Sequence, residues 1–143
     1  MNPLSLYGNL SLERMKVAVR QVRVLLADDS PRIREAIREL LGSWDGLSVV
    51  AEAADGREAL AEVEKAQPDV LVVDLHMPLM GALDVLNALK GTGEASPAVI
   101  VISCDAAEKY RSLALSAGAF GFLAKDDLGA LPELIREATK NSR

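Results

Sequence analysis

Short apolar runs alternate along the chain with segments in which apolar residues recur at helical spacing. The runs have the length of β-strands and are rich in Val, Ile, Leu and Ala. They cover residues 22–27, 47–53, 69–74, 97–103 and 119–124. This alternation predicts five strands, each followed by a helix.

The helical segments begin and end at residues that often cap helices. Ser30 and Pro31 suit the start of the first helix. Its apolar stripe consists of Ile33, Ile37, Leu40 and Leu41. We expect the second helix over about 55–67, the third over about 82–90, and a polar loop at 91–94.

The last two helices complete the pattern. The fourth is expected over about 106–117, with Asp105 as its N-cap and Gly118 in the left-handed conformation that often follows a helix. The apolar stripe of the fifth is Leu131, Leu134, Ile135 and Ala138. Right-handed crossovers then predict a flavodoxin-like, doubly wound (βα)5 domain of the α/β class, whose parallel sheet has the order 2-1-3-4-5.

Composition agrees with this fold and narrows the function. Hydrophobic residues make up 50% of the 143 positions but aromatic residues only 3%, so the core must be aliphatic. That suits helices packed on a parallel sheet in one domain. The net charge of −5 argues against direct binding of nucleic acid by this chain.

The single cysteine, Cys104, permits no internal disulfide and favours a reducing compartment. No apolar run reaches the ~20 residues of a membrane span, and the N-terminus lacks the pattern of a signal peptide. We therefore expect a cytoplasmic protein without a membrane partner. We also expect Cys104 to be a small buried residue rather than a redox sensor.

Residues 1–21 stand outside the alternating pattern. We expect an N-terminal extension that is flexible or forms a short helix, in which Leu12, Met15 and Val19 share one face. Met15 is also an alternative start of the chain. The folded domain is expected over residues 22–141.

Polar residues collect at the carboxyl ends of the predicted strands, where open parallel sheets bind ligands. Asp28 and Asp29 follow the first strand, and Asp74 ends the third. Ser103 ends the fourth strand, and Lys125 follows the fifth. Since the strands carrying them are neighbours in the predicted order, we expect the five side chains to converge on one pocket.

Three carboxylates in one pocket repel each other unless a cation joins them. Their oxygen donors favour Mg²⁺, and no pairing of cysteine and histidine suggests zinc. Lys125 indicates a further anion, Ser103 offers a hydroxyl to phosphate, and Asp74 suits a nucleophilic carboxylate. Taken singly, Asp28 and Asp29 are better explained as turn and helix-entry residues, and Ser103 and Lys125 are uninformative, whereas a strand-end acid explains Asp74 poorly. The combination of the five residues is what favours phosphoryl chemistry.

With these residues in place, the sequence resembles the receiver domain of two-component response regulators over residues 22 to about 141. The matching segments are LLADDS, DVLVVDLHMP, VIVIS and FLAKD, in that order. The resemblance implies that Asp74 accepts a phosphoryl group from a sensor histidine kinase or phosphotransfer protein. It also implies Mg²⁺ bound by Asp28, Asp29, Asp74 and the backbone carbonyl of His76.

The resemblance further implies a conformational switch. Lys125 would balance the charge of the phosphoryl group, and Ser103 would move to hydrogen-bond it. Phe122, three residues before the lysine, would then change rotamer and reshape the face formed by the fourth helix, fifth strand and fifth helix. An ordinary core position is an equal alternative for Phe122.

Two features concern the loop after Asp74. His76 occupies a position that in this family influences the lifetime of the acyl phosphate, although a solvated loop side chain is the alternative. The family commonly has Met-Pro-x-Met-Asp-Gly here, whereas this chain reads MPLMGA, with its glycine at Gly81. We expect the local backbone of this turn to differ, with the site chemistry retained.

We predict a phosphoacceptor signalling domain that acts through a downstream partner or a fused output domain, not a metabolic enzyme. Self-phosphorylation from small donors, slow autodephosphorylation and a phosphorylation-dependent homodimer are compatible with this. Because DDSPRIREAI and VVAEAADGREAL resemble receivers of LuxR-type regulators, one alternative is the receiver portion of a DNA-binding transcription regulator. A second is an unphosphorylated interaction module. A flavin- or nucleotide-binding domain is disfavoured because ADDSP would repel phosphate.

Overall fold

Five parallel strands form the centre of the fold. The structure, a computed structural model, describes residues 21–105 and 107–140. The strands are β1 (Val22–Ala27), β2 (Leu47–Ala53), β3 (Val70–Asp74), β4 (Ala98–Ser103) and β5 (Gly121–Ala124). They pair in parallel in the order β2-β1-β3-β4-β5, which confirms the predicted sheet.

Helices connect successive strands. They are α1 (Pro31–Gly42), α2 (Gly56–Ala66), α3 (Ala82–Leu89), α4 (Glu108–Ser116) and α5 (Leu131–Lys140). Ser30 caps α1 as predicted, because its hydroxyl accepts a hydrogen bond from the Ile33 N–H. The expected polar loop at 91–94 is instead part of a short 3₁₀ segment, Lys90–Ala95, which is interrupted at Gly93.

The start of α4 differs from the prediction. The N-cap is Ala107 rather than Asp105. Asp105 lies in a turn before the helix, where its N–H donates to Ser103 Oγ at 2.9 Å and its carboxylate accepts from the Ala107 N–H at 3.0 Å. Asp105 therefore lies two residues before the N-cap, and its carboxylate does not cap α4. Gly118, after the helix, has a φ of +110°, which a glycine readily adopts.

Each face of the sheet covers a separate aliphatic cluster. On one side β-strand residues pack against α2, α3 and α4, and on the other against α1 and α5. The strand β3 is buried along its whole length. Burial on both faces explains why its sequence is a continuous apolar run rather than an alternating one. The arrangement confirms the doubly wound architecture.

Three further expectations meet the structure here. Cys104 is exposed, so the prediction of a buried cysteine is wrong: the residue lies just after the end of β4, at the start of the loop to α4. Residues 1–20, with the expected face of Leu12, Met15 and Val19, and residue 141 lie outside the described residues. Within the described part of the chain, no helix is long and apolar enough to cross a membrane.

Candidate functional site

Three carboxylates meet at the carboxyl end of the sheet. Asp28 and Asp29 follow β1, and Asp74 is the last residue of β3. One carboxylate oxygen from each of the three residues lies within 4.8 Å of the other two. Asp28 and Asp74 are 1% and 6% exposed, whereas Asp29 is exposed to solvent. The structure therefore brings these acids together in a pocket that opens on the side of Asp29.

Lys125 joins the two buried acids. Its Nζ lies 2.8 Å from Asp28 Oδ2 and 3.1 Å from Asp74 Oδ2. Burial lowers the pKa of the Lys125 ammonium, but the attraction of Asp28 and Asp74 outweighs burial and the pKa is raised. The lysine therefore remains a cation that bridges the ends of β1 and β3.

One cation does not balance this pocket. Burial, and then the charge of Asp28, raise the pKa of Asp74 above 3.8, although Lys125 and the His76 N–H act in the opposite direction. That N–H donates to Asp74 Oδ1 at 3.4 Å. The raised pKa means that the folded protein disfavours the charged carboxylate, so a further cation would stabilise it.

The donor set fits Mg²⁺. Asp28 Oδ2 is buried, and among residues 21–105 and 107–140 its close polar contact is the ion pair with Lys125 Nζ, at 2.8 Å. Asp29 and Asp74 supply further carboxylate oxygens close by. Mg²⁺ prefers oxygen ligands and keeps several waters, which suits a site with one exposed acid.

Ser103 and Phe122 lie on the two strands beyond β3. Ser103 is buried at the end of β4, opposite Ala124, the residue before Lys125. The ring of Phe122 is buried in the aliphatic cluster beneath α4, with the Arg111 guanidinium 5.3 Å from its centroid. Phe122 is thus a core residue in this structure, and its role as a switch stays a prediction.

The loop between β3 and α3 is shaped by close packing. Gly81 has an ordinary extended conformation, but a Cβ there would lie 2.8 Å from the Leu75 carbonyl oxygen. The left-handed conformation falls instead on Leu79, which has a φ of +68°. His76 is exposed and packs edge-to-face against Tyr110, with 5.6 Å between ring centroids. The side chain of His76 is therefore exposed and in contact with α4, and its effect on the lifetime of the acyl phosphate stays a prediction.

The acids, the lysine and the hydroxyl at these strand ends agree with a known family. A model of the response regulator receiver domain matches residues 24–136, most of the chain. The chain belongs to this family. The expected resemblance is confirmed.

Relatives of this receiver include a nitrate/nitrite response regulator and a protein-glutamate methylesterase. The nitrate/nitrite response regulator NarP of Escherichia coli (strain K12) is 39% identical over 122 residues, which are 85% of this chain and 56% of NarP. Protein-glutamate methylesterase/protein-glutamine glutaminase 5 of Myxococcus xanthus (strain DK1622) is 43% identical over 101 residues, which are 71% of this chain and 29% of that protein. The chain thus spans about half of one relative and under a third of the other.

Solved receiver structures have the same fold. The signal receiver domain of NarL from Mycobacterium tuberculosis is 32% identical, with a TM-score of 0.76 over 86% of this chain and 97% of that one. The response regulator domain of Thermotoga maritima CheB is 27% identical, with a TM-score of 0.76 over 83% of this chain and 96% of that one.

Three residues near the receiver's pocket escaped sequence reasoning: Arg34, Glu52 and Tyr110. Arg34 donates to the backbone carbonyl of Asp28 at 2.6 Å and to Glu52 at 2.9 Å. The one signal in the sequence was Glu52, a charge inside the apolar run of the second strand. That signal predicts a partner but does not identify it, because the two residues are 18 positions apart.

Proposed function

We propose that this receiver accepts a phosphoryl group on Asp74 from the phosphohistidine of a sensor histidine kinase or phosphotransfer protein, with Mg²⁺ bound in the pocket. One observation carries the proposal: the buried Asp74 carboxylate shares its pocket with two other acids and with Lys125 Nζ, 3.1 Å away. A carboxylate nucleophile needs a cationic environment to meet a phosphoryl group, and these residues supply it.

Asp28, Asp29 and Asp74, together with the expected backbone carbonyl of His76, would hold Mg²⁺. When bound, Mg²⁺ supplies positive charge that offsets the carboxylates and the incoming phosphoryl oxygens. Lys125 supplies the second positive charge from the side of β5. The protein mainly positions charges here, as is typical of phosphoryl transfer.

In the transfer, an oxygen of Asp74 attacks phosphorus and forms an acyl phosphate. The bond between phosphorus and the donor's imidazole nitrogen breaks, and the electron pair leaves with the imidazole. The reaction requires an ionised Asp74, and Lys125 favours that form because its ammonium lowers the pKa of the carboxyl. Hydrolysis of the acyl phosphate then resets the receiver slowly.

The signal would leave the pocket through Ser103 and Phe122. Ser103 Oγ accepts a hydrogen bond from the Asp105 N–H, which leaves the hydroxyl hydrogen of Ser103 to donate to a phosphoryl oxygen on Asp74. Phe122 lies one strand away, beneath Arg111. A change in its rotamer would alter the face of α4, β5 and α5 for a downstream protein, a fused output domain or a second copy of the receiver.

The test is incubation of the full chain with Mg²⁺ and a small acyl-phosphate donor, followed by intact mass measurement. We expect one phosphoryl adduct in the wild type and none in Asp74→Asn or in the wild type with EDTA. Asp84→Asn, at an exposed acid of α3, is the matched control and should still form the adduct. An adduct that persists in Asp74→Asn would overturn the assignment.

A second candidate is the same phosphoacceptor serving as the regulatory part of a DNA-binding transcription regulator. The observation that favours it is the identity of 32% with the transcriptional regulatory protein YxjL of Bacillus subtilis (strain 168), of which this chain covers 53%. Sequencing the natural reading frame past Arg143 tests it. A helix-turn-helix region there would support this candidate, and a stop codon directly after Arg143 would refute it.

A further inference from the structure

Asp28 is held by three contacts that fix its backbone and one side-chain oxygen. Its N–H donates to the Ala53 carbonyl at 3.0 Å, and its Oδ1 accepts from the Ser30 N–H at 2.8 Å. Its backbone carbonyl accepts from the Arg34 guanidinium at 2.6 Å. With these groups occupied, Oδ2 is the oxygen left for the pocket, 2.8 Å from Lys125 Nζ.

Arg34 is itself held from β2. Its Nε donates to Glu52 Oε1 at 2.9 Å, while another nitrogen of the same planar group reaches Asp28. Glu52 directly precedes Ala53, the residue that accepts from the Asp28 N–H. Two neighbouring residues of β2 therefore fix Asp28, one directly and the other through Arg34.

The contacts of Arg34 depend on the geometry of its guanidinium group rather than on its charge. Glu52 also pairs with Arg38, whose nitrogen lies 2.5 Å from Oε2, so both arginines share one carboxylate. Arg34 directs its second donor at a neutral carbonyl and not at a carboxylate of the pocket. A guanidinium can donate in two fixed directions at once, which an ammonium of similar charge cannot reproduce.

We propose that Arg34, held by Glu52, is a positioning residue for the metal site: it fixes the backbone of Asp28 so that Oδ2 stays directed at Asp74 and Lys125. The inference rests on the proposed function, because it assumes that Mg²⁺ binds to the three acids. Residues that orient metal ligands without touching the metal commonly change metal affinity by about 10- to 100-fold when replaced. Arg34 has the contacts of such a residue.

Arg38 provides a matched control. It lies one helical turn from Arg34 on α1, carries the same charge and pairs with the same Glu52. Within the part of the chain that the structure describes, the hydrogen bond of its side chain is with Glu52, whereas Arg34 also reaches Asp28. If charge or the contact with β2 were decisive, replacing either arginine should weaken Mg²⁺ binding. If the positioning of Asp28 is decisive, only the replacement of Arg34 should weaken it.

The experiment is calorimetric titration of the full chain with MgCl₂ at a temperature well below unfolding, using the wild type, Arg34→Gln, Arg34→Lys and Arg38→Gln. We expect Arg34→Gln and Arg34→Lys to raise the Kd for Mg²⁺ about tenfold, and Arg38→Gln to change it less than about twofold. Thermal unfolding in EDTA, measured on each variant, separates metal affinity from stability.

Equal Mg²⁺ affinity in wild type and Arg34→Gln would overturn the positioning role while leaving the proposed metal site intact. Affinity retained in Arg34→Lys but lost in Arg34→Gln would also overturn it, because charge would then suffice. No binding by the wild type would instead contradict the metal site of the proposed function. If Arg34→Gln does not fold, Glu52→Ala takes its place because it removes the oxygen that accepts from Arg34, and unchanged affinity in that variant would count equally against the proposal.

Discussion

Gly56, the first residue of α2, packs against the loop that follows Asp74. A Cβ at this position would lie 2.3 Å from the Met80 carbonyl oxygen and 2.7 Å from Met80 Cβ and Cγ. Backbone is among these atoms, so a side-chain rotation cannot relieve the overlap. Gly56→Ala must therefore displace either α2 or the β3–α3 loop.

The expected cost follows from two opposing effects. Overpacking of this kind costs about 1–3 kcal/mol, and the 2.3 Å contact places Gly56→Ala at the upper end. Alanine regains up to about 1 kcal/mol over glycine inside a helix, and less at a first helical position. The free energy of unfolding should therefore fall by about 2 kcal/mol.

Urea unfolding followed by the fluorescence of Trp44 measures this change. Gly42→Ala, at the last residue of α1, is the matched control because the added Cβ would meet nothing within 4 Å in the part of the chain that the structure describes. We expect it to be neutral or slightly stabilising. Equal unfolding free energies in the two variants would refute the packing argument.

Three further outcomes are expected. Lys125→Ala leaves Asp28 and Asp74 without their shared cation, so it should lower the free energy of unfolding in EDTA by about 3 kcal/mol. Mg²⁺ should restore part of this loss. An unchanged free energy of unfolding in EDTA would contradict the ion pair. Because the folded pKa of Asp74 is raised, its contribution to stability is present below pH 3.8 and is lost as pH rises through the folded value. Asp74→Asn should therefore increase the melting temperature in EDTA at neutral pH, and a decrease would contradict the raised pKa. Leu79→Gly should raise the free energy of unfolding in urea by about 0.5 kcal/mol, because glycine adopts the left-handed backbone conformation of Leu79 without strain. The Leu79 side chain is 77% exposed, so its removal costs little packing. A loss of stability would show that the Leu79 backbone is not strained.

Much of this fold follows from local sequence patterns. Aliphatic runs of strand length, separated by helical stripes, leave few topologies once crossovers are right-handed. The same rule places the carboxyl ends of β1, β3, β4 and β5 next to one another in that order along one edge of the sheet, which is why Asp28, Asp74 and Lys125 could be expected in one pocket before any distance was known. Backbone topology, not side-chain detail, carries that prediction.

The failures concern contacts that depend on exact side-chain positions. Asp105 is of a residue type that often caps helices, but its N–H donates to Ser103 Oγ in the turn before α4 begins. Cys104 was expected to be buried, yet it is exposed just after the end of β4. Arg34 reaches Asp28 only because α1 lies against β2, where Glu52 holds it. Local propensity contains no information on such side-chain contacts.

The central claim is that Asp74 is the phosphoacceptor. Borohydride reduces an aspartyl phosphate to homoserine, so treatment of the phosphorylated full chain, followed by peptide mass spectrometry, marks the modified residue. We predict homoserine at position 74 alone, only when Mg²⁺ and the phosphodonor are both present. Homoserine at Asp28 or Asp29, or none at position 74, would contradict the account.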